Sequence, residues 1–234
     1  MSAPRGAIVT GGTGALGRVV VRQLLEHGAR VAVPWRDPVE WQRLVASAGE
    51  GAPLFGARAD LTTPAGARSF VDEAARQLGI VDAVALVAGG WAGGTRFDDA
   101  PADEWERMLR TNLDTAAHVC RAALPYLRRH GGSVAAVGSH AAETGGAGMA
   151  AYAVSKAAVH ALVRVLALEN AAHRVRFNAV LPGTVDTPAN RRAMPDADRR
   201  TWTSPEAVAR VVVFLLSGDA ASVTGALVPV DAPA

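Results

Sequence analysis

Cysteine is almost missing from this chain of 234 residues. Cys120 stands alone, which excludes an internal disulfide framework and any cysteine-rich metal site. It lies on the apolar side of a helical pattern and reads as core rather than nucleophile. The six histidines are scattered without a paired spacing, so no metal centre is expected. Long apolar runs are scarce as well. Uncharged stretches are short or studded with glycine and no signal-like region precedes residue 6, so neither export nor a membrane span is indicated and a cytoplasmic protein is expected. Charge of one sign is not in excess either. Twenty-four basic residues face 22 acidic ones, a net of +2, and the basic residues are spread along the chain, which argues against nucleic acid as a partner. No linker, repeat or low-complexity block divides the sequence, so one domain over residues 1–234 is expected.

The most telling scarcity is lysine. Lys156 is the single lysine among 24 basic side chains, and Tyr152, one of two tyrosines, precedes it by four residues. In the alanine-rich helical pattern around Ala151 to Lys156, that spacing places both on one face. A phenol titrates near ~10 in water, and a nearby ammonium favours the phenolate, which would suit proton transfer near neutral pH. A guanidinium is a planar fork and does not replace a compact ammonium there.

From the N-terminus, Gly6 to Thr10 reads as a strand. Gly11 to Gly17 follows as a glycine turn with Gly12, Gly14 and Gly17 in G-x-G-x-x-G spacing, and then a helix through Leu16, Val20 and Leu24. Strand, glycine turn and helix together make a dinucleotide cradle, because the backbone can approach a pyrophosphate whose charge meets the helix N-terminus. Val31 to Val33 is the next strand. Its tip, Pro34-Trp35-Arg36, lacks the acid that would read a free ribose and offers Arg36 to a 2′-phosphate, with Asp37 next door. Leu54 to Ala57 leads to Asp60-Leu61. Val81 to Val87 is apolar enough for a parallel strand covered on both faces, and it opens into Ala88 to Gly94, with Trp91 as a wall of a substrate pocket.

Residues 103 to 129 read as one long helix carrying Asn112 amid apolar neighbours, a place where a polar side chain can sit at a local distortion. Ser133 to Gly138 is a strand with Ser139 and His140 at its C-terminal end, where open α/β sheets place ligands. The helix of Tyr152 and Lys156 follows. Then come a strand over Val175 to Leu181, the turn Pro182 to Thr187, a polar loop, a helix over Pro205 to Leu216, and a last strand over Leu227 to Val230.

Taken in order, Thr10-Gly11 with Gly17, Asp60, Asn112, Ser139, Tyr152-x-x-x-Lys156 and Pro182-Gly183 with Thr187 resemble the single-domain short-chain dehydrogenase/reductase family over essentially the whole chain. Ser139 stands thirteen residues before Tyr152, a spacing that family favours. The resemblance implies an α/β, doubly wound Rossmann-type fold with a seven-stranded parallel sheet and helices on both faces. It implies Tyr152 as general acid or base, Ser139 on the substrate oxygen, Lys156 on the nicotinamide ribose and lowering the Tyr152 pKa, and Asn112 holding a relay water. With Arg36 in place of an acid at the tip of the second strand, NADP(H) is the expected cofactor, with NAD(H) as the alternative. Cofactor contacts are expected from Gly11, Thr13, Gly14, Leu16, Gly17, Arg36, Asp60, Leu61, Ala88 and Gly89. Further contacts are expected from Tyr152, Lys156, Pro182, Gly183, Val185 and Thr187, and Trp91, His140 and Met194 are expected to line the substrate pocket.

Two positions depart from the family pattern. Ala15 replaces a glycine of the turn, and Leu86-Val87 replaces a pair of asparagines before Ala88-Gly89. Locally, Ala88 to Gly94 and Leu181 to Trp202 are similar to quinonoid dihydropteridine reductase, yet Ser139 is present and the acid at the second strand's tip is absent. The leading expectation is therefore carbonyl reduction by a homodimer or homotetramer. A quinonoid substrate is the second reading, and a non-catalytic dinucleotide-binding regulator the third.

Overall fold

The structure is a computed structural model that describes residues 3 to 232 of the expected 1–234 domain. Seven strands form one all-parallel sheet: β1 Gly6–Thr10, β2 Arg30–Trp35, β3 Leu54–Arg58, β4 Ala83–Leu86, β5 Gly132–Val137, β6 Val175–Pro182 and β7 Leu227–Val230. Their order across the sheet is β3-β2-β1-β4-β5-β6-β7, the doubly wound arrangement expected. The chain reverses direction of growth between β1 and β4, so a crevice opens at the C-terminal ends of those two strands.

Side chains alternate through the sheet with a period of two. Ile8, Val84 and Leu86 point to one face, where α3 (Pro64–Leu78), α5 (Thr115–His130) and α7 (Ala150–Glu169) bury Phe70, Val119, Leu127 and Val163. Ala7, Val9 and Ala85 point to the other, covered by α1 (Ala15–Glu26), α2 (Pro38–Ala48) and α9 (Pro205–Leu216) through Val20, Leu24, Leu44 and Val212. Cys120 belongs to the first core, and burial pushes its thiol up to about 12, so it is inert as a nucleophile.

The helix starts differ in a way that matters for the site. Asp37, Thr63 and Ser204 cap α2, α3 and α9 with side-chain oxygens, each followed by proline at the first helical position. At α1 the cap is Gly14, with no side-chain bond and no acid in the first turn. Its leading N–H groups are left for something else.

The continuous helix expected over 103 to 129 is interrupted. α4 (Glu104–Met108) passes into a π-helical turn, Leu109–Asp114, before α5 begins. The wider turn carries Asn112, which is 1% exposed, so the distortion buries a polar side chain that a regular helix would have been free to turn toward water. The region between β6 and α9, expected as loop, contains α8 (Pro188–Ala193), capped by Thr187.

Candidate active site

At the crevice, the glycine turn packs against the end of β4. Thr10 Oγ1 accepts the Val87 and Ala88 N–H groups, both at 3.1 Å, and donates to the Ala85 carbonyl at 3.3 Å. The strand end that lacks the family's asparagines is thus held by a threonine from β1. A Cβ on Gly17 would run into the Gly11 carbonyl, so the helix can come this close to the turn only with glycine there. A cleft of about 480 Å³ results, lined by Gly11, Thr13, Gly14, Leu16, Gly17, Arg36, Asp60, Leu61, Ala88, Gly89 and Thr187. These expected cofactor residues are brought together. The uncapped N-terminus of α1 and the glycine cradle fit the pyrophosphate of a dinucleotide.

Lining residues that the sequence did not single out are Ala59, Thr62, Thr111, Thr115 and Ala189. Thr111 lies on the π turn beside Asn112 and Thr115 opens α5 just after it, and that proximity was their one available signal. At the tip of β2, Trp35 stacks on Trp41 with centroids 6.3 Å apart and planes at 13°. Asp37 is engaged in capping α2 through Val39 N–H at 2.8 Å. A neighbouring basic hollow is lined by Arg36, Arg58, Arg107 and Arg110. Asp60 accepts from Thr62 N–H at 3.0 Å and Thr62 Oγ1 at 2.7 Å, which with Arg36 nearby holds its carboxyl below the usual range.

The other end of the crevice is dense with polar contacts. Asn112 Oδ1 accepts the Gly90 N–H at 2.8 Å, while Nδ2 donates to the Gly90 carbonyl at 3.1 Å and to Ser155 Oγ at 2.9 Å. Lys156 Nζ donates to the Val137 carbonyl at 2.8 Å, and burial pushes its pKa down to about 8. A Cβ placed on Gly89 would lie 2.8 Å from Asn112 Oδ1 and 3.1 Å from Lys156 Nζ. Amide, ammonium and glycine backbone therefore converge on one point. Ser139, itself 6% exposed, accepts the Ala141 N–H at 3.2 Å, and its side chain acts on the Tyr152 phenol to favour the phenolate.

One electrostatic expectation is corrected. Burial raises the Tyr152 pKa, opposed by the Ser139 hydrogen bond, and Lys156 does not lower it. The physical reason is that the phenol is itself largely buried, which penalises the phenolate, while the ammonium is engaged with the Val137 carbonyl.

The remaining expected residues are more peripheral. Trp91 is 57% exposed and Met194 is 38% exposed. His140 lies half-exposed with Nδ1 3.6 Å from Asp231 Oδ1. Pro182 and Gly183 lie at the end of β6, where the Pro182 carbonyl accepts the His140 N–H at 3.1 Å. Val185 pairs with Thr203 in a bridge and its carbonyl accepts from Asn190 Nδ2 at 2.8 Å. None of these six lines the 480 Å³ cleft, whereas Thr187 does while also capping α8. Sequence reading passed over His160 and Glu143, which stand behind Ser139: His160 Nε2 accepts the Ser139 N–H and its Nδ1 lies 2.8 Å from Glu143 Oε1.

A doubly wound parallel sheet with an uncapped glycine turn at its crevice defines a dinucleotide-binding class of protein. The sequence model for short chain dehydrogenase matches residues 5–198, and the chain belongs to the short-chain dehydrogenase/reductase family, NAD(P)-dependent oxidoreductases. It is 33% identical to an L-rhamnose 1-dehydrogenase (NAD(P)(+)) from a Sphingomonas species, over 96% of this chain and 93% of that protein. It is 35% identical to a galactitol 2-dehydrogenase from Rhizobium johnstonii, over 97% and 93%. Among solved structures, an NADPH-bound short chain oxidoreductase from Pseudomonas aeruginosa with an atypical catalytic centre superposes with a TM-score of 0.90 at 28% identity, covering 97% of each chain. None of these three is a dihydropteridine reductase, and they lend no support to that local likeness.

Proposed function

We propose that this enzyme interconverts a carbonyl and an alcohol, with NADP(H) preferred and Tyr152 as the general acid in the direction of reduction. The observation that carries the reading is the convergence of Asn112 and Lys156 on Gly89, with the Ser139 side chain acting on the Tyr152 phenol. The names of the relatives, one acting on a sugar and one on a polyol, support an alcohol or carbonyl substrate class.

The bound cofactor supplies or accepts hydride. The chain's own residues do the rest. Ser139 Oγ donates to the substrate oxygen and stabilises the negative charge that grows there, and Tyr152, whose raised pKa keeps it protonated at neutral pH, delivers its proton to the same atom. Lys156 would hold a ribose hydroxyl of the cofactor in exchange for the Val137 carbonyl, and its ammonium would then favour the phenolate left after transfer. Both N–H groups of Asn112 are engaged, so a relay water would be held by an acceptor, the second Oδ1 lone pair or a carbonyl of the π turn. The preference for the 2′-phosphate is supported by Arg36 and Arg58 in the basic hollow beside the cleft, neither side chain of which makes an ion pair or hydrogen bond among the described residues. NAD(H) remains the alternative cofactor.

A homodimer or homotetramer is part of the same proposal. α7 exposes Val154, Val165 and Leu168, which lie within one narrow arc of the helix. Light scattering at micromolar concentration should show more than a monomer.

The test of function is a panel of sugars, polyols, ketones and quinonoid dihydropterin assayed with NADPH and NADH. A ketone is a poor hydride acceptor until its oxygen is polarised, so Ser139→Ala should lower carbonyl turnover by roughly 10- to 1000-fold. Undiminished reduction of quinonoid dihydropterin by that variant, with ketones untouched by either form, would overturn the carbonyl reading.

A further inference from the structure

Ser139 sits where the sheet's ladder runs out. Gly138 and His140 donate their N–H groups to the Val180 and Pro182 carbonyls of β6, at 2.8 and 3.1 Å. In a parallel strand the residue between them points its N–H the opposite way, toward β4, which has already ended at Leu86. Without an acceptor that buried N–H would be stranded. The acceptor is His160 Nε2, at 3.3 Å. His160 stands four residues after Lys156 and eight after Tyr152, so all three project from one face of α7. Its ring reaches the strand because residue 138 is glycine: a Cβ there would run into Nε2.

This contact dictates the ring's proton. Nε2 can accept from Ser139 only as a lone pair, so the hydrogen of the neutral ring is on Nδ1 and is donated to Glu143 Oε1 at 2.8 Å. The imidazole is 3% exposed and Glu143, on the short helix α6 (Ala141–Thr144), is 46% exposed. The charged groups acting on the ring are Glu143, which favours its cation, and Lys156 and Arg164, which oppose it. Burial tips the balance and keeps His160 below its ordinary titration range.

We propose that His160 is a positioning residue: held by Glu143 in the Nδ1–H tautomer, it fixes the Ser139 backbone and so aims the Ser139 hydroxyl at Tyr152 and the substrate oxygen. Protonation turns Nε2 into a donor facing another donor, and the alignment is lost. The catalytic consequence rests on the role given to Ser139 above, whereas the contact and its tautomer stand apart from it.

His160→Leu removes the acceptor and lowers kcat by roughly 10- to 100-fold, the cost of a small misplacement at a reacting centre, with cofactor affinity unchanged. His160→Gln keeps an acceptor oxygen near the Nε2 position, restores most of the turnover and lacks the acid-side fall of kcat that the native enzyme shows. Should His160→Leu not fold, Glu143→Ala frees the other tautomer at a half-exposed site and lowers kcat, while Glu143→Gln restores it. A readout independent of turnover is the ¹⁵N NMR spectrum of the native protein. Nε2 should be the unprotonated nitrogen at neutral pH, and the Ser139 amide signal should shift along the imidazole titration. A protonated Nε2, or native kcat in His160→Leu or in Glu143→Ala while Ser139→Ala is impaired, overturns the inference. Native kcat in Ser139→Ala instead strikes the proposed function, and the NMR titration still decides the His160 contact.

Discussion

At the end of the crevice beneath α7, Asn112, Ser139 and Lys156 are each no more than 6% exposed, and their polar atoms are tied to Gly90, Ser155, Ala141 and Val137. At the proposed adenosine end, Arg36 and Arg58 are exposed to solvent, and among the described residues neither side chain makes an ion pair or hydrogen bond, although Arg36 stands near Asp60. The first region holds its groups in place before any ligand arrives, and the cost of burying them is already met in the folded protein. The second leaves long charged side chains free to settle on a ligand and lets water screen them. Substitutions at the two ends should therefore differ in size and in kind: large effects on turnover at one, small salt-sensitive effects on affinity at the other.

The largest effect is expected at Tyr152. Tyr152→Phe keeps the ring that packs beside Ala92, Met108 and Ala151 and removes the proposed proton donor. Turnover should fall by at least ~100-fold with cofactor affinity nearly intact. Stopped-flow and equilibrium binding separate the two, and retention of most of the activity would break the comparison at its strongest point.

Lys156 tests the claim that the catalytic end carries an energetic cost. Its pKa is pushed from 10.5 to about 8 by burial, so the unfolded chain binds the proton more tightly. The penalty is complete below pH 8 and is relieved as pH rises from 8 toward 10.5, which means that this group makes stability rise with pH across that window. The shift corresponds to roughly 3 kcal/mol, offset by about 1 kcal/mol for the Val137 carbonyl that a substitution strands. Lys156→Met should thus be more stable than the native protein by about 2 kcal/mol at pH 7 in urea unfolding, while losing activity. The gap should close near pH 10 and reverse by about 1 kcal/mol above it, where only the stranded carbonyl remains. Equal stabilities at pH 7 and 9 would show that the ammonium is hydrated and that the catalytic end is less dry than its contacts imply.

The same contrast separates what was readable in the chain from what was not. Local patterns carried the sheet, because each strand is a run of apolar residues bounded by turn residues, and they carried the glycine turn and the Tyr152/Lys156 pair, whose meaning lies in a spacing of one helical turn. Asn112 stood out as a polar residue in an apolar helix, but the π turn that buries it depends on Gly90 and Ser155, far away in sequence. His160 was passed over although it continues the Tyr152/Lys156 face. Its meaning comes from Gly138, whose missing Cβ is explained only when α7 is laid on β5. Arg58 was passed over because its relation to the β2 tip is a matter of register, Trp35 opposite Arg58, and register between strands is not written in either strand alone. The direction of the Tyr152 shift is not written in the spacing for a related reason: spacing brings two side chains to one face, but the burial of the phenol itself decides which way its pKa moves.

The smallest effect is expected at the adenosine end. A guanidinium paired with phosphate makes a charge-assisted contact, but an exposed one is screened, so Arg36→Ala should weaken NADPH binding by roughly 10-fold at low salt. Arg58→Ala should cost less, since it stands one strand further out. Both losses should shrink as salt is raised, because exposed charges more than about 10 Å apart are screened at 0.1 M and nearer ones are weakened, and neither variant should change NADH affinity. Isothermal titration with both cofactors at two salt concentrations reads all of this. Equal affinity of the native protein for NADPH and NADH would remove the 2′-phosphate from the hollow. A loss of NADPH affinity that ignores salt would place the phosphate in a buried, preformed site, and the two ends of the crevice would then be built alike.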